Sequence, residues 1–167
     1  MKKAVVILGF VLLGSMANAA TDWTPYLKPM MTGCNYPNPT EKLPKLYKDS
    51  IASKKVKVDQ ANAIDGYGET ITTYTLKNAT AFGQPLLKIE YLQGYEWRSL
   101  ELYFKDTKFT ALRPKFKVPI PDENESEGYH VIKNNSEGYT VDDGMWEIIL
   151  KFDKKRKSII YILQTCD

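Results

Sequence analysis

Four groups of side chains in this sequence carry reactive or ligating chemistry. They are the acidic run Asp122-Glu123-Asn124-Glu125-Ser126-Glu127-Gly128, the single histidine His130, the cysteines Cys34 and Cys166, and the basic run Lys154-Lys155-Arg156-Lys157. The acidic run begins like a calcium loop, with Asp, Asn and Ser at alternate positions. Glycine then falls at the seventh place where that loop needs it at the sixth, and the twelfth place is Lys133 where it needs a bidentate glutamate. The calcium pattern fails. Two carboxylates also hydrolyse glycosides, and that possibility stays open here because their separation is a three-dimensional quantity.

Metal and nucleophilic chemistry find fewer parts. His130 lies between Tyr129 and Val131 in a β-type run, with no serine or cysteine motif beside it, so it reads as a surface or satisfied side chain. No Gly-x-Ser-x-Gly elbow is present for a hydrolase nucleophile. One histidine and two cysteines expected in a disulfide leave a tetrahedral zinc site short of ligands. No catalytic residue, metal ligand or cofactor site is assigned.

What remains is binding. Acidic residues in a proline-flanked loop read first as a solvated turn. Held on a rigid scaffold they also have the form of an inhibitor loop that enters a basic cleft, because the ordering cost is met in advance. Asp122, Glu123, Glu125 and Glu127 are the candidate partner-binding residues. The run Lys154 to Lys157 reads first as a soluble hairpin tip, and second as a contact for an anionic envelope component. Among 11 tyrosines and three tryptophans, most belong in a core, and exposed ones would serve as interface anchors.

The scaffold is bounded by the chain's start and its cysteines. Met-Lys-Lys, the apolar run Ala4 to Leu13 and the Ala17-Asn18-Ala19 site are the three parts of a secretory signal peptide, with cleavage expected after Ala19. The apolar run is too short for a permanent span, which needs roughly 20 residues. A small residue before Cys34 resembles a lipoprotein site, but Asp22 to Pro29 holds two prolines and two charges, so no apolar segment feeds it. The full chain carries +3. Without Lys2 and Lys3 it has 21 basic against 20 acidic residues, too balanced for steering to nucleic acid or an anionic membrane. In an exported chain the two cysteines predict one disulfide. Cys34–Cys166 would close a loop of about 130 residues, with an upper value of roughly 5 kcal/mol from chain entropy. Cys-x-x-Cys is absent, which argues against a redox role.

Residues 20–167 read as a single α+β domain: an antiparallel β-meander sheet with two short N-terminal helices and one disulfide. Thr24-Pro25 is an N-cap followed by proline at the first helical position. A second helix is expected from Thr40 to Ala52, with Leu43, Leu46, Tyr47 and Ile51 on one stripe. Strands follow at Lys54–Val58, Glu69–Lys77, Pro85–Gln93 and Trp97–Phe104, with a loop from Gln60 to Gly68. Thr107 to Phe116 suits one helical turn ended before Pro114, and Tyr129–Lys133 with Tyr139–Val141 makes a short hairpin. The closing hairpin, Met145 to Cys166, has a charged tip and a second arm apolar on both faces, which predicts an inner strand. Gly-Tyr recurs four times at spacings of 28, 34 and 10, too irregular for a repeat. Glycine ends a turn there and tyrosine opens the next strand.

These features predict an exported, non-enzymatic periplasmic binding protein, in its sharper form an inhibitor or immunity protein against an envelope-targeting enzyme or toxin. The expected partner is a protein, with no nucleic acid and no membrane span in the mature chain, in the periplasm or beyond it. Two alternatives belong to other classes: a small envelope hydrolase using paired carboxylates, and a structural or adhesin-like envelope component.

Overall fold

A computed structural model describes residues 19–32, 37–64, 67–120 and 128–165, except the side chains of 61–64, 67, 164 and 165. The predicted export signal up to residue 18, both cysteines and the acidic loop residues Asp122, Glu123, Glu125 and Glu127 lie outside the described residues.

The two-residue strand β1 (Thr21–Asp22) leads into the helix α1 (Thr24–Leu27), a 3-10 turn (Lys28–Met31) and the helix α2 (Lys45–Asp49). Four long strands follow: β2 (Ile51–Ile64), β3 (Tyr67–Ala81), β4 (Gln84–Gln93) and β5 (Trp97–Phe104). A 3-10 segment (Lys108–Lys115) then precedes β6 (His130–Asn135), β7 (Gly138–Asp142), β8 (Trp146–Asp153) and β9 (Ser158–Thr165). The strands form one sheet in the order β1-β3-β4-β5-β9-β8-β7-β6, with β2 also paired to β3. Every pairing is antiparallel except β1 with β3. The architecture is therefore α+β and mostly sheet, with few and short helices.

The meander expectation holds for two separate runs, β2 to β5 and β6 to β9. They meet at β5–β9, so the closing strand lies in the sheet interior. Its burial is one-sided, however. Ile159 and Tyr161 are fully buried, while Ile160 and Ile162 on the other face are only half-buried. An inner position comes from the two flanking strands and does not require a layer on both faces.

Strand alternation produces rows of core residues across the sheet. One row runs Tyr74, Ile89, Leu102, Ile159, Phe152 and the next Thr72, Tyr91, Leu100, Tyr161, Leu150, Tyr139, all buried. The N-terminal helices cover this face at the β3–β4 side. Trp23 is fully buried, its ring 4.8 Å from Tyr47 and 5.7 Å from Tyr26, and its indole N–H donates to Ser50 Oγ at 3.0 Å. The 3-10 segment covers the other side through Phe109 and Phe116, which pack on Phe104 and Phe152 with centroids 5.1 to 6.1 Å apart. Lys117 N–H donates to Met31 O at 2.8 Å and joins the two covers.

Several boundaries differ from the sequence expectation. The second helix is one turn at Lys45–Asp49, not Thr40 to Ala52, because Pro44 is extended with ψ 151° and serves as its N-cap. Ser50 ends it, since its hydroxyl donates back to Tyr47 O at 2.8 Å. Thr24 is inside the first helix, not at its cap. Its hydroxyl donates to Asp22 Oδ1 at 2.6 Å and accepts from Phe82 N–H at 2.6 Å. The stretch Gln60 to Ile64, expected as loop, extends β2 past a register shift, and Ile64 pairs with Tyr67 of β3. Phe82 and Gly83 both have positive φ, 53° and 76°, as a two-residue hairpin between β3 and β4 requires.

Candidate functional site

The face of the sheet opposite the core carries a row Thr73, Glu90, Glu101, Ile160, Lys151. Glu90 and Glu101 are direct cross-strand neighbours on β4 and β5. Like charges in that position repel unless cations intervene. Here they do. Lys88 Nζ lies 3.1 Å from Glu90 Oε2, and Arg156 Nη2 lies 2.7 Å from Glu101 Oε2. The Tyr103 hydroxyl sits between the carboxylates, donating to Glu101 Oε2 at 2.7 Å with Glu90 Oε1 3.4 Å away. Arg156 Nη2 also donates to that hydroxyl at 2.6 Å, and Lys88 Nζ lies 3.6 Å from the ring centroid. Burial, then the hydrogen bond to Glu101, pushes the Tyr103 phenol well above its ordinary value, so it stays a neutral donor.

Two neighbouring carboxylates are the residue type that glycoside hydrolysis uses, and the surroundings of this pair oppose that use. A catalytic pair leaves room between its carboxyls for a glycosidic oxygen or a water, and keeps one carboxyl free to be protonated. Between Glu90 and Glu101 the space holds the Tyr103 hydroxyl, and each carboxylate already has a cation. The cluster anchors the hairpin tip: Arg156, from the run read as a soluble turn, crosses back onto Glu101, whose side chain is 8% exposed. Sequence reading missed this role. The only available signal was that arginine, unlike its lysine neighbours, can bridge a carboxylate and a hydroxyl at once.

The other members of that run lie apart from it. Lys154 and Lys155 border a cavity of about 610 Å³ together with Thr110, Glu137 and Asp153. Acidic and basic groups mix at its wall, and Lys151 already pairs with Asp153 at 3.2 Å. His130 is exposed at the start of β6, as a surface side chain should be. Among the described residues, no three His, Cys, Asp or Glu side chains group to hold a metal ion, and no helix is long and apolar enough to cross a membrane.

A different surface is exposed along the sheet's edge. β2 pairs only with β3 among the described residues, so its outer backbone edge has no strand beside it. Every second N–H and C=O along it points away from the sheet. Residues 52–58 are exposed on both faces, with Val56 and Val58 each at 56%. At the start of β2 a cavity of about 410 Å³ opens between this strand and the chain around α2. Buried Leu43 and Tyr74 line its wall, and exposed Glu41, Lys48 and Lys54 stand at its mouth. Tyr74 is held there by donating to Pro39 O at 2.8 Å, and Lys54 Nζ lies 5.5 Å from its ring centroid. Glu41 also bears on this face: the half-buried Tyr26 phenol is pushed up to about 12, first by burial and then by that carboxylate.

Comparison with family models, with curated proteins and with solved structures finds no match to this chain.

Proposed function

We propose that the protein is an exported, non-enzymatic binding protein of the periplasm whose partner is another protein, in the sharper form an inhibitor or immunity protein against an enzyme or toxin that attacks the envelope. The observation that carries this reading is the β2 edge, which among the described residues has no strand beside it and presents a row of backbone donors and acceptors next to exposed Val56 and Val58. Scaffolds that recognise proteins commonly do so by adding a strand at such an edge. The engaged Glu90–Glu101 pair supports the same reading, since it speaks against two-carboxylate hydrolysis. In this proposal Cys34 and Cys166 form the disulfide that ties the N-terminal segment to β9, and the acidic loop residues Asp122, Glu123, Glu125 and Glu127 add a second contact.

The test is chemical cross-linking of the tagged mature chain in envelope extract, followed by reconstitution with the purified partner. A single partner at one-to-one stoichiometry is expected. Charge reversal at Glu123, Glu125 and Glu127 should weaken the complex, and unchanged affinity would remove the loop from the account. If no partner reaches stoichiometric recovery, the binding reading itself fails.

A further inference from the structure

The exposed edge of β2 has a chemistry of its own. Between Ile51 and Gln60 it carries Lys54, Lys55 and Lys57 against the single acid Asp59, with Val56 and Val58 among them. Lys57 is already paired with Asp59 at 3.0 Å, a contact with 69% and 28% of the two side chains exposed, so it can open to another anion at little cost. Lys54, Val56 and Val58 project on the core side of the sheet, opposite Tyr74, Thr72 and Thr70, while Lys55 and Lys57 project on the outer side. Both faces of an added strand would therefore meet positive charge.

Resting on the reading of a protein partner, we propose that this edge and the adjoining cavity form a docking groove for an extended acidic segment of that partner. The segment adds to the sheet as one more strand, its carboxylates reach Lys54, Lys55 and Lys57, and one apolar side chain enters the cavity against Tyr74. Three observations select this occupant. The edge is long enough for a peptide ladder, with seven consecutive exposed residues from Ala52 to Val58. The cavity begins at the same strand, lined by Ile51, Ala52, Ser53 and Lys54, so backbone pairing and a side-chain pocket are continuous. Strand addition takes affinity from the main chain and specificity from such pockets. Finally, the charge disfavours a second copy of this chain. Pairing β2 with itself gathers six lysines against two aspartates, and a two-fold axis at Val56 sets Lys55 directly opposite Lys57.

The experiment titrates the full mature protein, isotopically labelled, with blocked nine-residue peptides that alternate Glu with Val and carry one Leu or Phe at varied positions. Matching peptides with Lys in place of Glu are the control. Acidic peptides should protect outward-facing β2 amides from hydrogen exchange and shift the Tyr74 ring resonances. The Lys55→Glu, Lys57→Glu double variant should bind them roughly tenfold more weakly, with its fold unchanged by near-ultraviolet dichroism. Proline at a β2 position whose N–H faces outward should abolish protection without loosening β3. Equal binding of the lysine peptides, protection away from β2, or concentration-dependent dimerisation through β2 would each overturn the proposal. So would absence of binding by any peptide of the set. A partner recovered from envelope extract that still binds the double variant at full strength would sink the groove and leave the broader reading standing. Peptide capture without any stoichiometric partner would do the reverse.

Discussion

Replacing Arg113 with methionine tests how the two halves of the molecule are held together. Arg113 lies in the 3-10 segment and is 9% exposed as a residue. Nη1 donates to Phe116 O at 2.7 Å, and Nε to Asn135 O at 3.0 Å. Nη2 donates to Asn134 Oδ1 at 2.6 Å and Gly138 O at 3.2 Å. None of these four acceptors is a carboxylate, and the charge rests 5.6 Å from the Tyr139 ring centroid. Burial pulls the group below its ordinary guanidinium value, which is high enough that it remains charged. Its donors therefore pin the turn between β6 and β7 onto the segment that covers the core.

Methionine keeps the stem's length and apolar contacts but removes every donor. The bonds to Phe116 O and Gly138 O are buried, so those carbonyls find no water in exchange, at about 1–3 kcal/mol each. The acceptors on Asn134 and Asn135 are partly exposed and rehydrate. Relief of a desolvated charge returns part of the loss. The net expectation is destabilisation by about 2–4 kcal/mol, a fall of roughly 5–15 °C in Tm for a domain of this size. Urea denaturation of the unreduced protein should show it as a lower midpoint with unchanged slope. Hydrogen exchange should accelerate first in β6 and β7. Arg113→Lys should recover little, because one ammonium cannot span four acceptors. A stability within about 0.5 kcal/mol of the parent for Arg113→Met would refute this reasoning, since surface substitutions already scatter that far.

Four further outcomes follow from particular contacts. Gly138→Ala should fail to accumulate as folded protein, because φ is +146° and an added Cβ would stand 1.8 Å from Leu150 O on β8. Trp23→Phe should cost about 1–3 kcal/mol in denaturant midpoint, through the lost indole bond to Ser50 and a smaller ring in a fully buried site. The Asp153 carboxyl is held below its usual range, chiefly by the Arg156 backbone N–H. A depressed carboxylate contributes stability above its unfolded pKa, near 4, and loses it as the pH falls through the folded value. Asp153→Asn should accordingly flatten the acid limb of stability measured from pH 5 to 2, and an unchanged limb would contradict this. Thiol titration of the denatured, unreduced protein should find no reactive sulfhydryl, and two would remove the disulfide and the stiff scaffold built on it.

Period-two patterning made most of the sheet readable before any coordinates. Trp146 to Phe152 and Ile159 to Leu163 specify the closing hairpin because the first arm places Trp146, Ile148, Leu150 and Phe152 on one face and the second is apolar on both. Gln60 to Ile64 was not readable. Its short and polar side chains carry little strand propensity, and the pairing of Ile64 with Tyr67 is a property of the folded sheet. Helical spacing at Leu43, Leu46 and Tyr47 pointed to a helix and overstated its length, because Pro44 and Ser50 act as stops on either side. The candidate site was less legible still. Carboxylates at Glu90 and Glu101 become neighbours only through the β4–β5 register, and Arg156 reaches Glu101 from a separation of 55 residues. The docking edge was half visible: lysines alternating with Val56 and Val58 marked a strand, but which strand ends a sheet is a property of topology.

Among the described residues β2 and β6 are edge strands, beside the two-residue β1, and the topology accounts for how the two differ. Each half of the chain builds outward from the β5–β9 seam, so among the described residues the first strand of each run has no outer neighbour. β6 is short, six exposed residues, and two of them, Asn134 and Asn135, accept from Arg113. A short, tethered strand is a common way to keep an edge from recruiting others. β2 spans 14 residues and crosses a cavity mouth with two large apolar side chains uncovered. Its lysines disfavour pairing with copies of itself while leaving the ladder open to a chain of opposite charge. Protection alone would be served by a shorter strand or by a loop laid across it. In the proposed groove an edge that is long, pocketed and lined by charge would select its occupant, and the same three lysines that disfavour self-pairing would favour an acidic segment.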